Sequence, residues 1–434
     1  MIRRKIHLVG WIWTLAVLGL ASGNLMAVSE EAGAGPDLAD LIQEALDQNP
    51  RLRAAEIEWR AAQEKIPQAK ALPDPMLSFG HFFRSIETRL GPQRNKLSLS
   101  QKFPFFGKLS LRGRIAAEQA SVLESQLAQI RQDVTLQVKE AFYSLNWFDE
   151  AIRVAESEKA VLERLAEVAR NRYETGSAAQ QDALKAQLEI TRLTDRILTL
   201  RQGRRASLSQ LNALLSRPAA SDLGEVRAVP SVPFEIGLER LQAWAADARP
   251  ELSKLNRVIQ SQSLRLDLAK KNYWPDLNVM VDYFEIGSGT ATVPESGRNA
   301  WMASIGINIP LWRGKLRAAE AEAAMRLEAS EDVLTDLKND TAARVHELYF
   351  EIKTYQEQSR LYELTLIPQA EQALKASEIG YIAGKTGFLS ILDAERMLLQ
   401  LRTALARLQA DKAKSLARLE RIIGREINGE EEGS

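Results

Sequence analysis

From Gly107 to Glu174 the chain runs without a proline, and apolar residues recur at positions 123, 127, 130, 134, 138, 141, 145, 148 and 152. Spacings of three and four define one face of a helix, close to a heptad seam. At about 1.5 Å per residue, such a helix is roughly 100 Å long. No compact domain has that diameter, so the segment predicts a fibre, a coiled coil or a tube. Thr175-Gly176-Ser177 breaks the run, and Leu184, Leu188, Leu193, Ile197, Leu200, Leu208, Leu211 and Leu215 then mark a returning helix.

The same parts occur twice, about 200 residues apart. Asn49-Pro50-Arg51-Leu52 returns as Arg249-Pro250-Glu251-Leu252, and Ala69-Lys70 with Pro75 returns as Ala269-Lys270 with Pro275. Phe103-Pro104-Phe105-Phe106-Gly107-Lys108 returns as Ile309-Pro310-Leu311-Trp312-Arg313-Gly314-Lys315, and Tyr173-Glu174-Thr175-Gly176 as Tyr381-Ile382-Ala383-Gly384. The first repeat is predicted over 37–215, with helices at 37–72 (interrupted at Asn49-Pro50), 107–174 and 178–215 and strands at 76–83 and 96–103. The second spans 238–424, with helices at 238–273, 315–383 and 388–423 and strands at 276–284 and 301–309. A proline-containing linker, 216–237, joins them, and 425–434 reads as a disordered tail. Pro368 is expected to kink the second long helix, because it lacks one hydrogen-bond donor and crowds the preceding turn.

The four short segments change period. Leu97, Leu99 and Phe103 alternate with Lys96, Ser98, Ser100 and Lys102, and Leu277, Val279, Val281 and Tyr283 alternate with Asp276, Asn278, Met280 and Asp282. Period two gives a strand with one apolar and one polar face. Two readings are open: a small sandwich with its apolar faces together, or part of a membrane barrel. The runs suit a tilted membrane strand, and Phe82, Phe83, Phe103, Tyr283, Phe284 and Trp301 stand near strand ends, where interfacial aromatic girdles belong. Four strands cannot close a barrel, and open strand edges are not tolerated in hydrocarbon. Strands that span a membrane here require oligomerisation.

Composition narrows the classes. Lys+Arg and Asp+Glu both number 57, which leaves no global basic footprint for nucleic acid. A mean hydropathy of −0.24 argues against a polytopic helical membrane protein. Arg3, Arg4 and Lys5 precede an apolar run from Leu8 to Leu20 and small residues ending at Ala27. That is the pattern of a secretory signal peptide over 1–27, followed by a polar linker at 28–36. With no cysteine in the chain, no lipid acceptor follows the signal, and stability must come from packing rather than disulfides. Three histidines and no cysteine make no soft metal cluster. No convergent set of nucleophile, base and acid stands out, so neither an enzyme nor a cofactor is expected.

In order, these motifs resemble the TolC-like outer-membrane efflux proteins over roughly Leu38 to Arg425. The resemblance rests on the duplication, the Asn-Pro-x-Leu helix start, the Pro-x-x-Gly-Lys corner, and the Tyr-x-x-Gly tip followed by Leu392-Asp393-Ala394. It implies a mainly α fold with membrane β structure. Three chains would form a twelve-stranded barrel in outer-membrane lipid, continuing into a twelve-helix periplasmic α-barrel. The implied function is a passive exit duct of a tripartite efflux system, working with a periplasmic adaptor (membrane fusion) protein and an inner-membrane pump. Adaptor docking would fall on the helix-turn tips, at Tyr173, Gly176, Tyr381, Gly384 and Lys385. Family members often carry Asp-x-x-Asp after the second tip, as an entrance constriction. Here Asp393 is present but Ser390 takes the first place, and the first repeat holds Asp182 and Lys185, so an acidic ring would be weaker. Pro368 would mark the helix that bends on opening. The corner from Gln101 to Leu109 resembles members that serve heavy-metal pumps, with drugs or a secreted polypeptide as alternative cargo. A periplasmic coiled-coil scaffold would explain the helices but not the strands.

Overall fold

The computed structural model describes residues 37–226, 233–289 and 294–427. The expected signal peptide, the 28–36 linker and the tail beyond residue 427 lie outside the described residues, as does part of the inter-repeat linker.

The first repeat contains α1 (Leu38–Gln48), α2 (Pro50–Gln63), α3 (Lys65–Lys70), β1 (Met76–His81), β2 (Glu87–Thr88), β3 (Gly91–Phe103), α4 (Lys108–Glu174) and α5 (Gln180–Leu214). The second contains α6 (Leu238–Ala248), α7 (Pro250–Lys271), β4 (Leu277–Ile286), β5 (Ala300–Ile307), α8 (Arg313–Leu361), α9 (Ile367–Ile382) and α10 (Phe388–Ile423). Both short-helix pairs break at the residue before proline, where Asn49 and Arg249 take extended ψ angles of 120° and 118°. Proline disfavours helical backbone in the residue ahead of it and is well placed at the first helical position. Asn49 also joins two helix ends. Its Oδ1 accepts the Arg51 N–H at 3.0 Å, and its Nδ2 donates to the Leu214 carbonyl at the end of α5 at 3.0 Å.

Helix α4 is 67 residues long, about 100 Å at the usual rise. It folds back on α5 through a core of Ala151, Ala155, Leu162, Ala169, Ile190, Leu193 and Ile197, which extends to Tyr381, Phe388, Ile391 and Leu392 of the second hairpin. Nearer the strands, α1 packs Leu41 and Ala45 against Val134, Val138, Leu145 and Leu211. The second long helix is interrupted, as Pro368 suggests, but ahead of the proline. A π turn at Tyr362–Leu366 separates α8 from α9, and helical backbone angles continue through it.

The strands form one antiparallel sheet in the order β1-β3-β4-β5, with β2 attached to β3. The hairpins of the two repeats therefore meet at β3 and β4. Register aligns Phe79, Leu97, Tyr283 and Trp301 in one row and Leu77, Leu99, Val281 and Ala303 in another. The opposite face carries Ser78, Ser98, Asp282 and Met302 in one row, with Asp282 held by Ser98 Oγ–H and by Lys96 at 3.1 Å. β3 begins at Gly91 rather than Lys96, and β4 reaches Ile286. The added start of β3 is polar, carries no apolar alternation and pairs with Glu285 and Ile286 at the end of β4. Order also continues to Ile427, whose N–H donates to Glu420 at 2.9 Å, so the expected tail does not begin at residue 425.

The two proline corners match in sequence but not in structure. Gly107 has a φ of +85°, and the following Lys108 is buried, with its ammonium 2.8 Å from Asp276 and 3.1 Å from the Trp274 carbonyl. Phe105 stacks on Trp274 at 5.2 Å, so the first corner is pinned to the start of β4. In the second corner neither Arg313 nor Gly314 needs positive φ, and Lys315 is exposed.

Candidate functional site

Two regions carry the features that the sequence singled out: the apolar face of the sheet, and the tips where the long hairpins turn. On the sheet, the aromatic and aliphatic rows are open. Phe79, Leu97, Leu99, Ile305 and Ile307 are exposed, and Trp301 is 72% exposed. Among the described residues no second sheet covers this face, which removes the sandwich. The outer edges of β1 and β5 have no strand partner among the described residues. No helix of the described residues is long and apolar enough to cross a membrane.

At the tips both glycines do what a helix end requires. Gly176 and Gly384 have φ of +65° and +69°. Each turn closes with the same pair of bonds: Gly176 N–H to Tyr173 O at 2.9 Å and Ser177 N–H to Arg172 O at 2.7 Å, then Gly384 N–H to Tyr381 O at 3.0 Å and Lys385 N–H to Gly380 O at 2.8 Å. This is the Schellman arrangement, which needs a left-handed residue just past the helix.

The two tip tyrosines differ. Tyr173 is 45% exposed, whereas Tyr381 is 6% exposed. The Tyr381 ring lies 5.4 Å from Phe388 and under the Arg172 guanidinium at 4.6 Å, and Arg172 also donates to the Tyr381 carbonyl at 2.5 Å. Tyr381 thus faces the first hairpin rather than solvent. Burial, then the charge of the nearby Asp182 carboxylate, pushes its phenol pKa up. Lys385 and Ser390 are exposed. Asp393 has a 61% exposed side chain and pairs with Arg396 at 3.4 Å. Arg396 reaches across to Glu189 of α5 at 2.5 Å, and this bond holds the Glu189 carboxyl below its ordinary range. The structure therefore brings Tyr381 and Asp182 together, leaves Asp393 and Ser390 on an open helix face, and sets Pro368 about 24 Å along the helix from Gly384.

Sequence reasoning missed Arg172, Arg396, Glu189 and the buried pair Glu158 and Glu395. The Arg172–Tyr381 bond spans 209 positions and Arg396–Glu189 spans 207, so no local spacing signals either. Burial at period 3.6 was available for Glu158 and Glu395, both of which sit on the apolar stripes of their helices. Among the described residues no three His, Asp or Glu side chains are placed to hold a metal ion.

A family model for the "Outer membrane efflux protein" matches residues 41–217 and 244–425, most of the chain and both repeats. The chain belongs to that family. It is accordingly an outer-membrane transport protein and not an enzyme. Among curated relatives, the cobalt-zinc-cadmium resistance protein CzcC of Cupriavidus metallidurans is 26% identical, over 93% of each chain. The outer membrane protein TolC of Vibrio cholerae is 23% identical, over 89% of this chain and 90% of its own. The solved structure of the outer membrane protein VceC from Vibrio cholerae superposes with a TM-score of 0.75 at 18% identity, covering 90% of this chain and 97% of VceC, and so shares the fold.

Proposed function

We propose that three copies of this chain form an exit duct, with a twelve-stranded barrel in the outer membrane above a twelve-helix periplasmic α-barrel. The observation that carries this reading is the four-stranded path β1-β3-β4-β5, which has an exposed apolar face and two unpartnered edges among the described residues. In hydrocarbon those edges must be paired, and pairing β1 of one copy with β5 of the next closes a ring. The strand-side half of α8 supports the same arrangement, because its 313–340 stretch buries no residue within the chain while the matching part of α4 buries Leu111, Ile115 and Ala120.

The duct conducts passively, taking substrates from an inner-membrane pump through a periplasmic adaptor. The tips at Tyr173, Gly176, Gly384 and Lys385 receive the adaptor, and the buried Tyr381 shapes that surface from beneath. Asp393, together with Ser390 and Asp182, lines the entrance, where three exposed Asp393 carboxylates around an axis would concentrate cations. The cargo class we assign is heavy-metal cations, supported by likeness to a cobalt-zinc-cadmium resistance protein over almost the whole chain. Deleting the chain in its host is expected to raise cellular zinc, cobalt or cadmium and to lower growth on those salts. Unchanged metal content with raised drug accumulation would transfer the cargo to drugs. A chain recovered only as a soluble periplasmic monomer would sink the duct itself.

A further inference from the structure

About two turns above the second tip, the seam between the hairpins contains two acids that no ion pair neutralises fully. Glu158 of α4 and Glu395 of α10 are each 2% exposed. Both Glu395 oxygens and Oε1 of Glu158 are buried without a hydrogen-bond donor. The two side chains line one cavity of about 190 Å³ between α4, α5 and α10.

None of the surrounding guanidiniums hydrogen-bonds to Glu395 or to Oε1 of Glu158, and Arg192 is taken by Glu189 at 3.6 Å. From α5 the cavity is faced by Glu189, Arg192 and Arg196, and from α10 by Arg396. Glu371 and Glu378 approach from α9, and α10 also carries Asp393 and Arg402. Arg396 is taken by Glu189 at 2.5 Å and Asp393 at 3.4 Å. Arg402 is taken by Glu371 at 2.7 Å and reaches Glu158 only at 3.8 Å. No ion pair holds Glu395 among the described residues.

Two charged carboxylates in a buried seam repel and lack donors, whereas one proton between them removes a charge and supplies the donor. Burial, the bond to Glu158, and the charges of Glu158 and Glu378 push the Glu395 carboxyl up to about 9, with Arg402 opposing. We propose that Glu158 and Glu395 share one proton and form a latch between the two hairpins, holding α10 against α4 while the proton stays and releasing it when the proton leaves. The latch is a property of the chain, and only its consequence, a wider entrance, rests on the duct reading.

The sign follows from proton counting. Parted hairpins return Glu395 to water and to its ordinary value of 4.5. Between that value and about 9 the packed seam holds one proton more than the parted one, so rising pH favours parting, by up to about tenfold per pH unit. Below and above that window the dependence disappears.

The chain has no cysteine, so Ser177→Cys and Lys385→Cys place spin labels on the two tips alone. In the full-length protein in lipid, the tip-to-tip distance is expected to lengthen between about pH 6 and about pH 9.5. Glu395→Gln, which keeps the shape and supplies an N–H donor, is expected to hold the short distance throughout. Glu158→Gln is expected to lower the midpoint by about one pH unit or more, because the repelling charge is gone. Conductance in planar bilayers, measured on the same samples, separates the two readings. A pH-dependent distance without conductance would keep the latch and remove the duct. A distance insensitive to pH, or the same pH profile in the Glu395→Gln variant, overturns the latch.

Discussion

The first and second hairpins are built from the same ordered parts, yet the chain uses them differently. In the first, α4 is a single uninterrupted helix with buried residues at both its strand side, from Lys108 to Ala120, and its tip side, from Val134 to Ala169. In the second, the strand-side half of α8 is open, a π turn divides the helix, and the tip tyrosine is buried against its neighbour. The interruption of the second helix goes with a countable difference in length. Tyr173 follows Lys108 by 65 residues, and Tyr381 follows Lys315 by 66. One extra residue in a helix turns every later side chain by about 100° unless a single π turn absorbs it. A π turn at Tyr362–Leu366 is one way for the helix to absorb such a residue. The second copy thus carries one more residue between these landmarks than the first, and a π turn that the first lacks.

The largest expected contrast lies in the tip tyrosines. Tyr381→Ala removes a buried ring and its stacked guanidinium contact, and is expected to lower the opening free energy of the adjoining helix ends by about 3 kcal/mol. Tyr173→Ala removes an exposed ring and should change it by less than about 0.5 kcal/mol. Amide hydrogen exchange across residues 377–395 and 165–185 measures both. Equal effects would show that the buried position of Tyr381 carries no more energy than an exposed one, and the comparison between hairpins would fail.

The tip glycines should instead behave alike. Each has positive φ, and a methyl group added at either would meet no atom within 4 Å, so Gly176→Ala and Gly384→Ala differ from wild type only through backbone strain. About 1 kcal/mol is expected at each, read from local exchange. These positions were legible in the sequence because a helix end demands a left-handed residue locally. The strands were legible for a similar reason: alternation is a local consequence of the pleat, although the polar start of β3 at Gly91 carried none. The pairings across the seam between hairpins were not legible. These contacts, Arg172 with Tyr381 and Arg396 with Glu189, join residues about 200 apart whose types would serve equally well on a solvated face.

The same seam should respond to pH from both sides. Glu189 is held below the ordinary value of 4.5 by its bond from Arg396, so its contribution is present above that value and is lost as pH falls through the lowered pKa. Its side chain is partly exposed, and the effect should stay below about 1 kcal/mol. Glu395 acts in the opposite sense, favouring the packed seam until it ionises near 9. Seam protection is therefore expected to be greatest in mildly acid solution and to fall in both directions. Arg396→Gln should remove the acid limb alone, leaving the alkaline limb where it was.

The smallest effect is expected at Pro368, which the sequence offered as the cause of the interruption. The extra residue is a separate candidate cause, and the two can be parted. Pro368→Ala restores an N–H without changing the residue count. If the count sets the π turn, the turn survives this change and stability moves by no more than about 0.5 kcal/mol. Deleting Thr365 while keeping Pro368 removes the extra residue and should return 362–366 to α-helical hydrogen bonding, with slower amide exchange there. If the opposite holds, and Pro368→Ala alone heals the turn, then the missing N–H is what breaks the ladder, and the one-residue difference between hairpins must be absorbed elsewhere along α8.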